Sequence, residues 1–329
     1  MPQLLGKKVG PHGFGLMGFT WRATPISQEQ AFATMRAALA NNMSFWNGGE
    51  FYGTPEVNSM TLIREYLEKY PEDADKFVLC IKGGLLPSLH PDGSPENIRR
   101  SLDFILAQLG PHKQCIDMFE SARRDPNVPL EVTFGVIDRE YIKTGKVGGI
   151  SLSEVSAETI HKAAAITAVA AVEVELSLFC TDPLENGIAE ACAHHNIPFV
   201  AYSPLGRGIL TGQIRSIEDF PEADFRRHLP RFQPGNFEIN LQLADQIEAM
   251  AKKRGHTPAQ LALGWLTSLQ RRPGMPTIIP IPGATTVARV EENSVVVDLT
   301  DEEMAEIDGI LAKFQVKGER YPEGLPINT

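Results

Sequence analysis

The sequence predicts a closed (β/α)8 barrel of the TIM type, held as a single domain over residues 1–329. Three observations carry this expectation. Short β-rich apolar runs alternate with helix-like segments from end to end, an order that imposes parallel strand pairing. Counted with the run Phe14–Met17, the alternation gives eight β/α units. No Ser/Gly-rich linker divides the chain, and barrels routinely take this length as one domain.

Leu4–His12 is a poor strand, so the series opens at Phe14–Met17. A helix follows at Ser27–Ala40, with Ser27 as N-cap and Gln30 three residues on, a capping-box pattern. Then come strand Met43–Trp46, helix Pro55–Lys69, strand Phe77–Lys82 and helix Ser94–Leu109. Strand Cys115–Glu120, helix Leu130–Lys143, strand Gly148–Leu152 and helix Ser156–Ala165 continue the rhythm. Strand Ala171–Glu175, helix Pro183–His195 and strand Phe199–Ser203 follow. A Gly/Pro/Arg-rich connection, residues 204–235, interrupts after the seventh strand; it is too long for an idle barrel loop and is expected to cover a ligand. Helices Asn240–Arg254 and Pro258–Leu269, strand Thr277–Pro280 and helix Thr285–Asn293 complete the barrel. Residues 300–329 add a C-terminal helix, near Asp301–Lys313, and a tail.

Hydrophobic residues make up 43% of the chain and charged ones 22%, which supplies a sizeable core and excludes wholesale disorder. A net charge of −10 argues against nucleic-acid and anionic-membrane partners. Cys80, Cys115, Cys180 and Cys192 form no CxxC and no disulfide-framework spacing, which points to a reducing compartment. The start lacks the apolar stretch of a secretory signal, and no apolar run is long enough to span a bilayer, so a cytoplasmic protein is expected. The histidines show no metal-ligand spacing; the adjacent His194 and His195, near a helix C-terminus, read as structural.

Gly13-Phe-Gly15-Leu-Met-Gly18 matches G-x-G-x-x-G literally. A dinucleotide-binding turn needs a strand before it, a helix directly after it and an acid about twenty residues on. Here a poor strand precedes, Phe19-Thr-Trp follows, and Met35–Met43 offers no acid, so that reading is set aside. Tyr52 lies just past one strand and Lys82 ends the next. If those strands are parallel neighbours, a phenol and an ammonium meet at one rim, and the positive charge lowers the tyrosine pKa.

Phe45-Trp-Asn-Gly-Gly-Glu-Phe-Tyr-Gly53, Lys82-Gly-Gly84, Gly145-Lys-Val147 with Ser153-Glu154, Ala201-Tyr-Ser-Pro-Leu-Gly-Arg-Gly-Ile-Leu-Thr-Gly212 and Ile281-Pro-Gly-Ala-Thr-Thr-Val-Ala-Arg-Val-Glu-Glu-Asn293 stand in that order along the chain. Together they resemble the aldo-keto reductases, and the Trp46–Tyr52 segment with Ala122-Arg and Asp125–Pro129 is most similar to the fungal-type pyridoxal reductases. The resemblance implies a barrel binding NADPH across its C-terminal rim without a Rossmann domain. It implies hydride transfer to a carbonyl carbon, with Tyr52 as proton donor and Lys82 as the lysine that tunes it.

Two positions depart from that pattern. The family's aspartate is Asn47 here, so Lys82 would lose a charged partner; either its less neutralised ammonium depresses Tyr52 further, or a buried unpaired lysine sheds its own proton. Glu50 is expected to be solvated or to face substrate. The family's histidine, which orients the carbonyl, falls on Ala122. An alanine there opens space for a bulky aldehyde that polarises itself, a description pyridoxal fits through its ortho hydroxyl.

By the same resemblance, the cofactor set is Gly15, Met17, Ser153, Glu173, Tyr202, Ser203, Leu205, Gly206, Arg207, Gly283, Thr285, Thr286, Arg289, Glu292 and Asn293. Tyr202 would stack on the nicotinamide, Ser153 and Glu173 would hold its carboxamide, and Arg207 with nearby backbone N–H groups would hold the pyrophosphate. Glu154 and Glu173 stand where many members carry amides. Independently of the family, Gly283–Thr286 open a helix whose N–H groups and dipole favour an anion, and Arg289 one turn on can fork onto a phosphate or pair with Glu292. Trp21, Phe51 and Ala122 form the expected substrate pocket. The expected activity is NADPH-dependent reduction of a small-molecule aldehyde, foremost pyridoxal to pyridoxine. A broader aldehyde or ketone reductase, and a cofactor-binding regulatory subunit, are the alternatives. A monomer is the default for the fold, with a homo-oligomer as the alternative.

Overall fold

The computed structural model describes residues 1–322 and 327–329; the last part of the expected tail, 323–326, lies outside the described residues. Eight parallel strands run in sequence order around one sheet. They are β3 (Phe14–Gly15), β4 (Phe45–Gly49), β5 (Val78–Gly83), β6 (Ile116–Ser121), β7 (Val147–Ser153), β8 (Val169–Glu175), β9 (Phe199–Tyr202) and β10 (Ile278–Pro280). The sheet closes on itself where Gly13 and Gly15 N–H donate to the Pro280 and Pro282 carbonyls at 2.9 and 3.2 Å, with Gly15 bridged to Gly283. A Cβ on Gly15 would stand 3.0 Å from the Ile281 oxygen. The glycine-rich segment thus serves close approach of the first and last strands. The expected first strand ends at Gly15, because Met17 already belongs to the one-turn helix α1 (Met17–Thr20).

Before the barrel, β1 (Gln3–Leu4) and β2 (Lys7–Lys8) pair as an antiparallel hairpin that was not expected. Leu5 and Gly6 turn it with φ of 50° and 75°, the left-handed pair that a tight hairpin needs. Leu4 and Val9 plug the barrel base, packing with Phe45, Val78, Cys80, Met118, Ala171, Val200 and Ile279. A second apolar layer lies between the sheet and the outer helices.

Those helices are α2 (Gln28–Ala40), α3 (Ser59–Lys69), α4 (Pro95–Leu109), α5 (Leu130–Val136), α6 (Ala157–Ile166), α7 (Ile188–His194), α8 (Asn236–Lys253), α9 (Pro258–Leu269), α10 (Val287–Ser294) and α11 (Asp301–Leu311). Side-chain caps set several starts: Ser27 accepts from Gln30 N, Ser94 from Asn97 N and Ser156 from Thr159 N. The Gln30 side chain does not complete a capping box; its amide donates to the Thr285 carbonyl at 2.7 Å and ties α2 to the α10 entry. Asn58 caps α3, so that helix begins four residues later than Pro55 suggested. The helix expected at Pro183–His195 is split, because Gly187 at φ 86° separates the turn Asp182–Leu184 from α7.

The 204–235 connection folds into short 3-10 turns over a cluster of Phe220, Phe232 and Phe237. Its Arg231 donates to the Gly318 carbonyl at 3.2 Å, and Asn240 exchanges hydrogen bonds with Lys317, so loop, α8 and C-terminal tail are joined.

Candidate active site

Tyr52 follows β4 on a tight turn, its N–H donating to the Gly49 carbonyl at 3.2 Å and its carbonyl accepting from Thr20 Oγ1 at 2.6 Å. A Cβ on Gly49 would meet the Tyr52 ring at 3.0 Å, so the glycine lets the phenol lie flush on the strand. Trp21 stacks on Tyr52 with centroids 5.2 Å apart, and Phe51 meets it edge-on at 5.0 Å. Tyr52 is 8% exposed whereas Trp21 is 41% exposed, so the indole carries an apolar wall from the buried phenol to the surface.

β4 and β5 are neighbours with Gly49 opposite Lys82, which brings Lys82 Nζ to 5.9 Å from the Tyr52 ring centroid. Lys82 is not short of carboxylates. Nζ donates to Asn47 Oδ1 at 2.7 Å and lies 2.7 Å from Glu173 and 3.1 Å from Glu120. Asn47 Nδ2 donates in turn to Glu173 Oε2 at 2.6 Å. Glu120 Oε2 accepts from Ser151 Oγ at 3.0 Å and from Cys80 Sγ at 3.4 Å. Asn47, Lys82, Glu120 and Glu173 come from four different strands and are each at most 5% exposed.

The structure corrects four expectations here. Burial lowers the Lys82 pKa, but Glu120 and Glu173 more than reverse that and hold it well above the ordinary lysine value. The ammonium is therefore kept, and the alternative of a deprotonated Lys82 falls. Tyr52, expected to be lowered, is instead pushed up to about 12, because desolvation outweighs the opposing pull of Lys82. Glu173, assigned by resemblance to a carboxamide, directs its carboxylate at Lys82 and Asn47. Glu50 is neither solvated nor turned to substrate: it accepts from Ser101 Oγ at 2.8 Å and from Arg100 Nη2 at 3.1 Å. Ala122 is buried at the end of β6, its N–H on the Gly83 carbonyl and its carbonyl accepting from Arg123 at 2.6 Å.

Around the rim, Thr286 caps α10 by accepting from Arg289 N at 3.3 Å, and Gly283 sits at the barrel seam beside Gly15. Arg289 is ion-paired to Glu292 on the same helix. Asn293 is anchored by its carbonyl, 2.7 Å from His12 Nδ1. Across the mouth, Ser153 ends β7. Asn293 Oδ1 and Ser153 Oγ are both buried with no hydrogen-bond partner among the described residues, so two positions assigned to opposite ends of a dinucleotide each present an unsatisfied polar atom.

At the end of β9 the arrangement differs from expectation. Tyr202 Oη donates to Glu154 Oε1 at 2.8 Å and lies 2.9 Å from Tyr321 Oη in the tail. Arg207 pairs with Glu175 at 2.9 Å and lies over the Tyr321 ring, so its charge is already engaged rather than open to a pyrophosphate. The Gly206 N–H is likewise used, on the Ser203 carbonyl at 2.9 Å, and Leu205 is buried beneath this turn. Ser203, Arg207 and Glu154 hold φ of 49°, 58° and 53°, strained values for side-chain-bearing residues that cluster at this rim. Arg320, 4% exposed, bridges Glu154 at 3.0 Å and Glu175 at 3.4 Å. Burial raises the Glu154 carboxyl, and the Arg320 hydrogen bonds and charge more than undo this, leaving it below the ordinary range. Nothing in the sequence marked Glu120, Glu175, Arg320 or Tyr321; the available signal was acids at alternate, inward positions of apolar strands, as in Ala171-Val-Glu173-Val-Glu175.

Among the described residues no helix is long and apolar enough to cross a membrane, and no His/Cys/Asp/Glu group is placed to hold a metal.

Known proteins are similar to this chain along almost its whole length. Residues 12–312 match the Aldo/keto reductase family. "Probable pyridoxal reductase 2" of Schizosaccharomyces pombe is 39% identical over 99% of this chain and 98% of its own. The NADP(+) aldo-keto reductase yakc of the same organism is 37% identical over 95% and 91%. Among solved structures, a glycerol dehydrogenase from Gluconobacter oxydans superposes with a TM-score of 0.81 over 94% of both chains at 24% identity, a likeness of fold. The chain belongs to the aldo/keto reductase family.

Proposed function

We propose that this protein is an NADPH-dependent aldehyde reductase acting on pyridoxal. The observation that carries the reading is a buried Tyr52 lying beside Lys82 and against an aromatic wall of Trp21 and Phe51; burial raises its pKa, so the phenol is held protonated. A phenol that keeps its proton at neutral pH serves as an acid toward a developing alkoxide, and Lys82 stabilises the phenolate left behind. When bound, NADPH supplies the hydride to the carbonyl carbon.

Ser153 and Asn293 have the unsatisfied polar atoms to hold the two ends of that cofactor, with Thr285, Thr286 and Arg289 at the α10 entry for its adenosine phosphate. NADP is named for the yakc relative, and Arg289 is the cation that would distinguish NADPH from NADH here. The aromatic wall suits a flat ring, and Ala122 leaves the carbonyl without a side-chain donor at that position, which favours an aldehyde that polarises itself. Pyridoxal is also the substrate in the name of the Schizosaccharomyces relative. The test is NADPH oxidation followed by absorbance over a panel of aldehydes. Pyridoxal should give the highest kcat/KM, and a small aliphatic aldehyde outperforming it would reject the substrate assignment.

A further inference from the structure

Behind Tyr52 the protein holds more acid than one lysine can neutralise. Glu120 and Glu173 converge on Lys82 from β6 and β8, 3.1 and 2.7 Å from Nζ, in a setting closed to solvent. The groups facing them are Asn47 from β4, Cys80 and Lys82 from β5, and Ser151 from β7, with Tyr52 above and Arg123 acting on Tyr52 from the mouth. Among the described residues, Lys82 is the cation within ion-pair distance of both acids. Oε1 of Glu120 is buried, yet it accepts no aligned hydrogen bond even from Nζ. Two buried carboxylates beside one ammonium leave one negative charge without compensation, which a single retained proton removes.

We propose that Glu120 and Glu173 share one proton and that this pair is the internal acid from which Tyr52 recovers its proton, by way of Lys82, after each turnover. Burial and the neighbouring Glu120 raise the Glu173 carboxyl above the ordinary carboxylate range, in the direction this requires. The proton belongs to the pair, and neither oxygen owns it.

The steps balance without any change of oxidation state. The Tyr52 O–H bond breaks as its proton passes to the substrate alkoxide, leaving a phenolate. One Lys82 N–H bond breaks and that proton restores the phenol, leaving an amine. The shared proton then moves to Nζ, which restores the ammonium and leaves both carboxylates ionised. Once the product has left, a solvent proton enters at Tyr52, the group nearest the mouth, and passes inward through Lys82 to refill the pair. Glu120 and Glu173 are positioning and proton-holding groups here; they touch Lys82, not the substrate.

The inference rests on the reading of Tyr52 as proton donor, and two measurements separate the claims. Infrared spectroscopy of the unliganded wild-type protein at neutral pH should show the carbonyl stretch of a protonated carboxylic acid. The band should be lost in Glu120→Gln and in Glu173→Gln. Absence of that band in the wild type overturns the shared proton. Each glutamine variant keeps the net charge, one carboxylate against one ammonium, while removing the proton store. Each should give a burst of about one product per site, then turnover slowed about tenfold or more. Wild-type steady turnover in both variants, or loss of the first turnover itself, overturns the relay. Wild-type rates in Tyr52→Phe would reject the donor reading while leaving the infrared result to stand or fall separately.

Discussion

Replacing Asn47 by aspartate is expected to damage this protein. Asn47 Nδ2 donates to Glu173 Oε2 at 2.6 Å while its Oδ1 accepts from Lys82 at 2.7 Å. In Asn47→Asp an ionised carboxylate would face Glu173 at that contact distance. The variant keeps the geometry by holding one proton more than wild type; on the introduced carboxyl group, that proton lets it donate as the amide did. Holding a proton against an ordinary aspartate pKa near 3.9 costs about 1.4 kcal/mol per pH unit, so about 1.5 kcal/mol at pH 5 and about 4 kcal/mol at pH 7. The sign follows from a raised folded-state pKa: stability relative to wild type is intact below about pH 4 and is lost as pH rises. Urea unfolding of both proteins across that range measures the difference directly. The exchange variant Asn47→Asp with Glu173→Gln returns one acid and one amide to the same contact. It should recover stability to within about 1 kcal/mol of wild type, giving a large coupling energy in a double-mutant cycle. A pH-independent penalty for Asn47→Asp, or no recovery in the exchange variant, would refute the reasoning.

Three further outcomes follow from the rim and the tail. Arg320→Leu strips buried Glu154 and Glu175 of a bridging cation and should cost about 3–5 kcal/mol in urea unfolding; a loss under about 1 kcal/mol would show that Arg207 and Tyr202 suffice. Arg289→Ala, which frees Glu292 as well, should raise KM for NADPH far more than for NADH, and equal changes would remove Arg289 from phosphate recognition. Ala122→His, at a buried site, should lower pyridoxal reduction relative to small aldehydes, and an equal or improved pyridoxal rate would contradict the role given to the alanine.

The barrel was legible because its signals are local. Apolar strand runs, Ser27, Ser94 and Ser156 at helix caps and Pro258 at a helix start each act within a few residues, and the helices they open fell close to their expected places. The meeting of Tyr52 and Lys82 was legible for the same reason, since one lies just past and the other near the end of two consecutive strands. The Lys82 counter-charges were not, because Glu120 and Glu173 reach it only through the register of β6 and β8 across the barrel interior. Their alternation with apolar residues put them on the inward face, but which acid meets which base is a matter of closure. The tail shows the limit most plainly. Arg320 and Tyr321 form no motif, and they matter because the fold returns them to Glu154 and Tyr202, far upstream in the chain. The raised pKa of Tyr52 had a similar origin: the effect of Lys82 could be read from proximity, whereas the larger effect of burial needed the packed site.

The most direct test compares wild type with Tyr52→Phe for pyridoxal reduction by NADPH. In the proposed reaction the buried phenol is the acid that completes the reduction, and general-acid catalysis of this kind contributes roughly 100- to 10,000-fold. A fall in kcat/KM of that order, with NADPH affinity unchanged by fluorescence titration, is the result expected. Pyridoxal turnover by Tyr52→Phe within a few-fold of wild type, or none by the wild type, would contradict the account.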